Sequence, residues 1–170
     1  MRTDTLHRLE CGIQQYDWGQ RGQPGQPPFI AQLLGRPFDG KPYAEMWIGD
    51  HPALPAVLAD LPGCPSLTAA LVAAPEPLLG WDAPPSLPFL LKVLSCERPL
   101  SIQAHPDRRL AARLHREDPA HYPDANHKPE IAVALTPFRA LAGFRPAAEI
   151  RRDLARIGIL DRLFGGMGSG

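Results

Sequence analysis

Proline constrains this chain more than any other residue. Twenty-one of its 170 residues are proline, spread along the whole length rather than gathered in one linker. Each one fixes φ and removes a backbone donor, so long helices and long central strands are both interrupted. Short strands, short helices and long ordered loops are expected, not a helical bundle. The expected fold class is mainly β with helical insertions. No internal repeat is visible.

Local signals divide the chain further. Short apolar pieces lie in residues 6–19, and the Gly, Gln and Pro of residues 20–28 read as a loop. Phe29 to Leu34 has room for one or two helical turns before Gly35, and Tyr43 to Gly49 reads as a strand. Ser66 is placed to cap a helix through Leu71 and Val72 that ends near Pro75. Leu87 to Ser95 reads as a buried strand and Leu100 to His105 as a second, ended by Pro106. Asp107 to Glu117 predicts a helix with Leu110 and Leu114 on one face. A polar loop over 118–129 follows, then strands over Glu130 to Leu135 and Ala140 to Phe144. Pro146 and Glu149 open a last helical pattern with the stripe Ile150, Leu154, Ile157 and Leu160. Residues 165–170, Gly-Gly-Met-Gly-Ser-Gly, read as a disordered or truncated tail.

Bulk properties exclude some functions. A chain of 170 residues suits one domain, or one plus part of a second. Lys plus Arg and Asp plus Glu number 18 each, which leaves no excess of positive charge for nucleic acid or an acidic membrane surface. No apolar run follows Met1, so no secretory signal is expected. The most apolar stretch, Pro88 to Leu94, is short and contains Lys92, so it is no membrane span. Cys11, Cys64 and Cys96 are far apart and show no Cys-x-x-Cys spacing. Reduced thiols in a cytoplasm fit better than a disulfide framework.

The chemistry-bearing residues are concentrated in a few segments. In Ser101-Ile102-Gln103-Ala104-His105-Pro106, strand alternation would put Ser101, Gln103 and His105 on one face. That spacing can aim an amide and an imidazole at one metal ion; on these residues alone, a solvated polar face explains it as well. Asn126-His127-Lys128-Pro129-Glu130 runs into Ile131-Ala132-Val133-Ala134-Leu135. If Ile131, Val133 and Leu135 pack on the core, Glu130 and Lys128 point the other way, over small alanines, as in a narrow barrel. A surface Lys–Glu pair is the plain alternative. Lys92 sits in the apolar run Phe89-Leu90-Leu91-Lys92-Val93-Leu94, where a lone ammonium is costly. It is expected to be paired or functional, or else to snorkel at a sheet edge. Glu45 is its candidate partner, or a plain surface charge.

The motifs also carry a resemblance. Gln15-Tyr16-Asp17-Trp18-Gly19, Gly40 to Gly49 (GKPYAEMWIG), Leu87 to Ser95 (LPFLLKVLS), Pro99 to Asp107 (PLSIQAHPD) and Tyr122 to Glu130 (YPDANHKPE) resemble type I phosphomannose isomerases, in the family's order, from about residue 9 to 164. The resemblance implies a cupin (double-stranded β-helix) core with a helical insertion, here incomplete. It implies interconversion of mannose 6-phosphate and fructose 6-phosphate through a zinc-stabilised enediolate. By resemblance Gln103, His105 and Glu130 are zinc ligands; a fourth, a histidine, and an active-site arginine belong to a later region that this chain does not reach. Zinc accepts nitrogen and oxygen donors, and its positive charge suits a developing enediolate.

Lys128 is the candidate base, since a desolvated amine beside a cation becomes usable for proton transfer, or a phosphate contact. Trp18, Glu45, Lys92 and Ser101 are candidate substrate contacts; Trp18 has a core tryptophan as its alternative. His127 is expected to orient its loop, and His51, His115 and His121 to lie at the surface. The implied organisation is a cupin-type portion over 1–145, the start of a helical insertion over 146–164, and the tail. A metal-binding cupin without isomerase activity, or an inactive truncated product, are the alternatives.

Overall fold

The computed structural model describes residues 6–63, 65–80 and 84–157. They fall into two compact units divided after Gln103. The first unit holds the strands β1 (Leu9–Glu10), β2 (Gly12–Gln14), β3 (Glu45–Ile48), β4 (Val57–Leu58) and β5 (Leu91–Leu94). Between them lie the short helices α1 (Phe29–Leu33), α2 (Leu67–Ala73) and α3 (Pro75–Leu79). β2, β3 and β5 form an antiparallel sheet with β3 in the centre, and β1 pairs with β4 in a second.

Alternation on β3 sorts the side chains. Met46 faces Ile13 and Val93 across the ladder. With Ile30, Ala31 and Tyr43 they form one apolar cluster. A second cluster gathers Ala56, Leu67 and Leu71. Burying an Ile or Leu side chain fully contributes about 1.5–3 kcal/mol, and Ile30, Leu58 and Leu71 are all nearly inaccessible. The other face of the sheet carries Glu45 and Trp47 on β3 and Lys92 opposite Trp47 on β5.

Several local expectations hold for plain reasons. α1 stops where Gly35 takes φ of 63°, a conformation that suits glycine. The Ser66 hydroxyl accepts from the Ala69 N–H and caps α2. Pro75 ends that helix but opens α3, since a proline at the first helical position lacks only a donor that would be unpaired anyway.

The Leu87 to Ser95 strand is shorter and wetter than expected. Only Leu91–Leu94 pair, and Leu91 and Leu94 are exposed. Pro84, Pro85 and Pro88 lie just upstream, where missing donors and restricted backbone disfavour pairing.

The second unit is organised by α4 (Arg108–Glu117) and α5 (Ala147–Arg156). The Asp107 carboxylate caps α4 by accepting from the Leu110 N–H at 2.7 Å, and His115 and Arg116 sit in its last turn, where the helix dipole favours positive charge. The expected strands Leu100 to His105, Glu130 to Leu135 and Ala140 to Phe144 take no ladder bonds among the described residues. Ile102, Ile131, Val133, Leu141 and Phe144 are exposed rather than packed, and Glu130, Ala132 and Ala134 are exposed too, so no narrow interior forms around Glu130. Alternating side chains describe which residues share a face; a strand also needs a neighbour to bond. On α5, Ile150 and Leu154 are half-buried and Ile157 is exposed. Leu160, the 165–170 tail and Cys64 lie outside the described residues.

Candidate functional site

The first unit opens a cavity of roughly 280 Å³ on the face of the sheet away from the apolar cluster. Three parts of the chain build it. The wall is aromatic: Tyr16 and Trp18 stack with ring centroids 5.7 Å apart. Trp18 is half-buried and lines the cavity, which removes the core-tryptophan alternative. Its backbone is tied down, because the Trp18 carbonyl accepts from the Glu97 and Arg98 N–H groups. Gly19 lets this turn lie against β3's approach; a Cβ there would meet the Ala44 nitrogen at 2.6 Å.

The floor is charged. Lys92 Nζ lies 3.1 Å from Glu45 Oε2, and the Trp47 indole N–H donates to the same oxygen at 2.5 Å. The ammonium also lies 4.6 Å from the centroid of the Trp47 ring. Glu45 is 8% exposed, so it is no surface charge, and a buried carboxylate needs such partners. Lys92 keeps about a third of its side chain accessible (33%), and its head group faces the cavity rather than snorkelling away. Behind the floor, burial and then the Glu45 charge push the Cys96 thiol upward, and burial does the same for Cys11. Both thiols are unpaired, as expected.

Leu100, Ser101 and Gln103 form the rim. They are positioned by an irregular extended segment, not by the strand face the sequence suggested.

The second unit carries the remaining candidates on the segment after α4. His105 Nδ1 donates to the Lys128 carbonyl at 3.0 Å and lies 3.7 Å from Glu130 Oε2. That bond fixes the tautomer and leaves Nε2 with its lone pair outward, the arrangement a metal-ligating imidazole needs. The fit to a divalent ion therefore holds for the His105 imidazole, whereas Glu130 Oε2 approaches Nδ1, the nitrogen already committed to the Lys128 carbonyl. Among the described residues, however, no three His, Cys, Asp or Glu side chains converge. Further donors would have to be of another kind. Lys128 is exposed, in contrast to the dry setting expected of a base.

His127 is half-buried, and His51 and His121 are exposed. His115 is half-buried instead of superficial; its Nδ1 donates to the Tyr122 carbonyl at 2.6 Å and ties the polar loop to α4. Sequence reasoning passed over Tyr16 and Trp47. The signal for Trp47 was available: it shares Glu45's parity, two residues along the same strand.

The chain is similar to known proteins. The family model described as "Phosphomannose isomerase type I, catalytic domain" matches residues 6–147. Mannose-6-phosphate isomerase of Candida albicans is 41% identical over 97% of this chain and 39% of its own. The Homo sapiens mannose-6-phosphate isomerase is 44% identical, over 92% of this chain and 39% of its own. This chain thus spans about two fifths of the length of these curated relatives. Among solved structures, a mannose 6-phosphate isomerase bound with zinc and yttrium aligns with a TM-score of 0.59 and 29% identity, over 71% of this chain and 33% of that one. A histidine-to-alanine mutant of phosphomannose isomerase from Salmonella typhimurium aligns with a TM-score of 0.60 and 28% identity, over 71% of this chain and 33% of that one.

Proposed function

This chain belongs to the type I phosphomannose isomerase family, and from that premise we propose that it is part of an aldose–ketose isomerase that interconverts mannose 6-phosphate and fructose 6-phosphate. The observation that carries the reading is the cavity whose aromatic wall stands over the paired Glu45 and Lys92. An apolar ring face suits the C–H surface of a sugar, and an ammonium beside it suits a hydroxyl or phosphate oxygen. Trp18, Glu45, Lys92 and Ser101 are the substrate contacts in this reading. The small antiparallel sheets are read as part of a cupin core, and the setting as cytoplasmic.

Gln103, His105 and Glu130 are the zinc ligands proposed, supported by the His105–Lys128 carbonyl bond and by the zinc in the related structure. Zinc, when bound, supplies positive charge that favours negative charge on adjacent oxygens. The chain's own groups do the rest. The Trp18 ring limits water over the sugar, Lys92 holds an oxygen, and Lys128 Nζ takes a proton from the hydroxyl-bearing carbon and returns it to the carbonyl carbon, while the hydroxyl proton passes to the former carbonyl oxygen. No redox change is needed.

Zinc content by elemental mass spectrometry, paired with a coupled assay for fructose 6-phosphate, tests this. In the full-length enzyme, His105→Ala loses most of its zinc. Lys128→Ala keeps zinc and loses turnover by about 10²–10⁴-fold, the usual reach of one acid–base group. Wild-type zinc content in His105→Ala would remove the ligand assignment, and normal turnover in Lys128→Ala would remove the base. The alternative reading is a metal-binding cupin without isomerase activity. Zinc bound with no isomerisation would select it.

A further inference from the structure

Trp47 has no role in the reading above, yet it makes two separate contacts to the floor of the cavity. Its ring face lies 4.6 Å below Lys92 Nζ, and its indole N–H donates to Glu45 Oε2, the oxygen that Lys92 also uses. We infer that Trp47 is a positioning residue for the Lys92 ammonium, holding it toward the cavity where it meets an anionic oxygen of a sugar phosphate. This inference rests on the isomerase-family reading of the cavity.

The physical case is one of restraint. A lysine side chain has four rotatable bonds and spreads its ammonium over a wide arc unless something opposes it. Two attractions act here, a cation–π contact from below and a charge-assisted bond from the side. The Trp47 N–H also pins the Glu45 oxygen, so the carboxylate cannot follow the lysine outward. Trp47 is itself fixed: it is buried, it pairs with Lys92 across the ladder, and the His51 ring meets it edge-on at 4.8 Å and 75°. Trp47 also lines the cavity, so a change that keeps its ring and removes only the N–H separates restraint of Lys92 from loss of the wall.

A double-mutant cycle tests this in the 170-residue chain, with Trp47→Phe, which keeps a ring but loses the N–H, and Lys92→Met, which keeps the stem but loses the charge. Calorimetry with mannose 6-phosphate reads binding, and melting temperature confirms that each variant folds. Trp47→Phe is expected to weaken binding about tenfold when Lys92 is present and not at all in the Lys92→Met background, because a positioning residue acts through its target. Equal losses in both backgrounds would show a structural role and overturn the inference. A second readout needs no substrate. The acylation rate of Lys92 by an amine-directed reagent, followed by mass spectrometry against the exposed Lys41 and Lys128, should rise several-fold in Trp47→Phe. An unchanged rate overturns the positioning role. A raised rate in a chain that binds no mannose 6-phosphate leaves positioning intact and removes the proposed function instead.

Discussion

The two units handle apolar alternation differently. On β3, Met46 packs against Ile13 and Val93 from the strands on either side, and the alternate residues Glu45 and Trp47 are free to build a charged floor. In the second unit, Ile131, Val133 and Leu135 alternate just as clearly, yet all three are exposed and their backbone takes no ladder bonds among the described residues. The contrast separates two things that sequence patterns merge. Alternation decides which side chains share a face, and neighbouring backbone decides whether that face is buried.

Substitutions can break this contrast. The largest effect is expected at Ile30, which is inaccessible within the first cluster: Ile30→Ala should cost about 2–5 kcal/mol in urea unfolding followed by fluorescence. Ile131→Ala, at 92% exposure, should stay within about 0.5 kcal/mol. A comparable loss at both positions would mean that the two units bury their alternating residues alike in solution. Helix caps sharpen the comparison at smaller scale. Ser66→Ala on α2 and Asp107→Ala on α4 should each cost about 1 kcal/mol, read by circular dichroism during unfolding. If only the Ser66 change is felt, α4 does not fold cooperatively with the first unit.

The smallest effect concerns acid. The Lys41 backbone N–H, and after it the Tyr43 hydroxyl, hold the Asp39 carboxyl below the ordinary carboxylate value, against some desolvation. A carboxylate lowered on folding adds stability above its unfolded value, about 3.9, and that gain is lost as pH falls through the folded value. Asp39→Asn should therefore lower stability slightly near neutrality and flatten the acid limb below about pH 4, where variant and wild type converge. An identical acid limb in the variant would show that Asp39 ionises alike in folded and unfolded chains.

Local stops and caps were legible in both units. Ser66 and Asp107 are cap residues in the positions that caps require, and Gly35 ends α1. Lys92 could be singled out because an apolar strand cannot hold an unpaired ammonium, and Glu45 is the partner found. The resemblance had grouped Trp18 and Ser101 with that pair, and one cavity brings all four together; Tyr16 was not legible, since its place depends on a turn at Gly19 rather than on any period. The shortened β5 was missed because an apolar run outweighed its upstream prolines. The segments 100–105 and 130–135 were misread because a single chain segment carries no record of whether a neighbour bonds to it.

The pairing of Trp47 with Lys92 fixes how the gene can be edited here. Deleting one codon between Pro88 and Lys92, with the ladder otherwise kept, would bring a different residue opposite Trp47 and turn the ammonium toward the oily side of the sheet. Composition would hardly change, and hydrophobicity plots would look the same. The chain would nevertheless have taken its ammonium away from Glu45 and Trp47, so length in this stretch is as strict a requirement as the identity of the lysine.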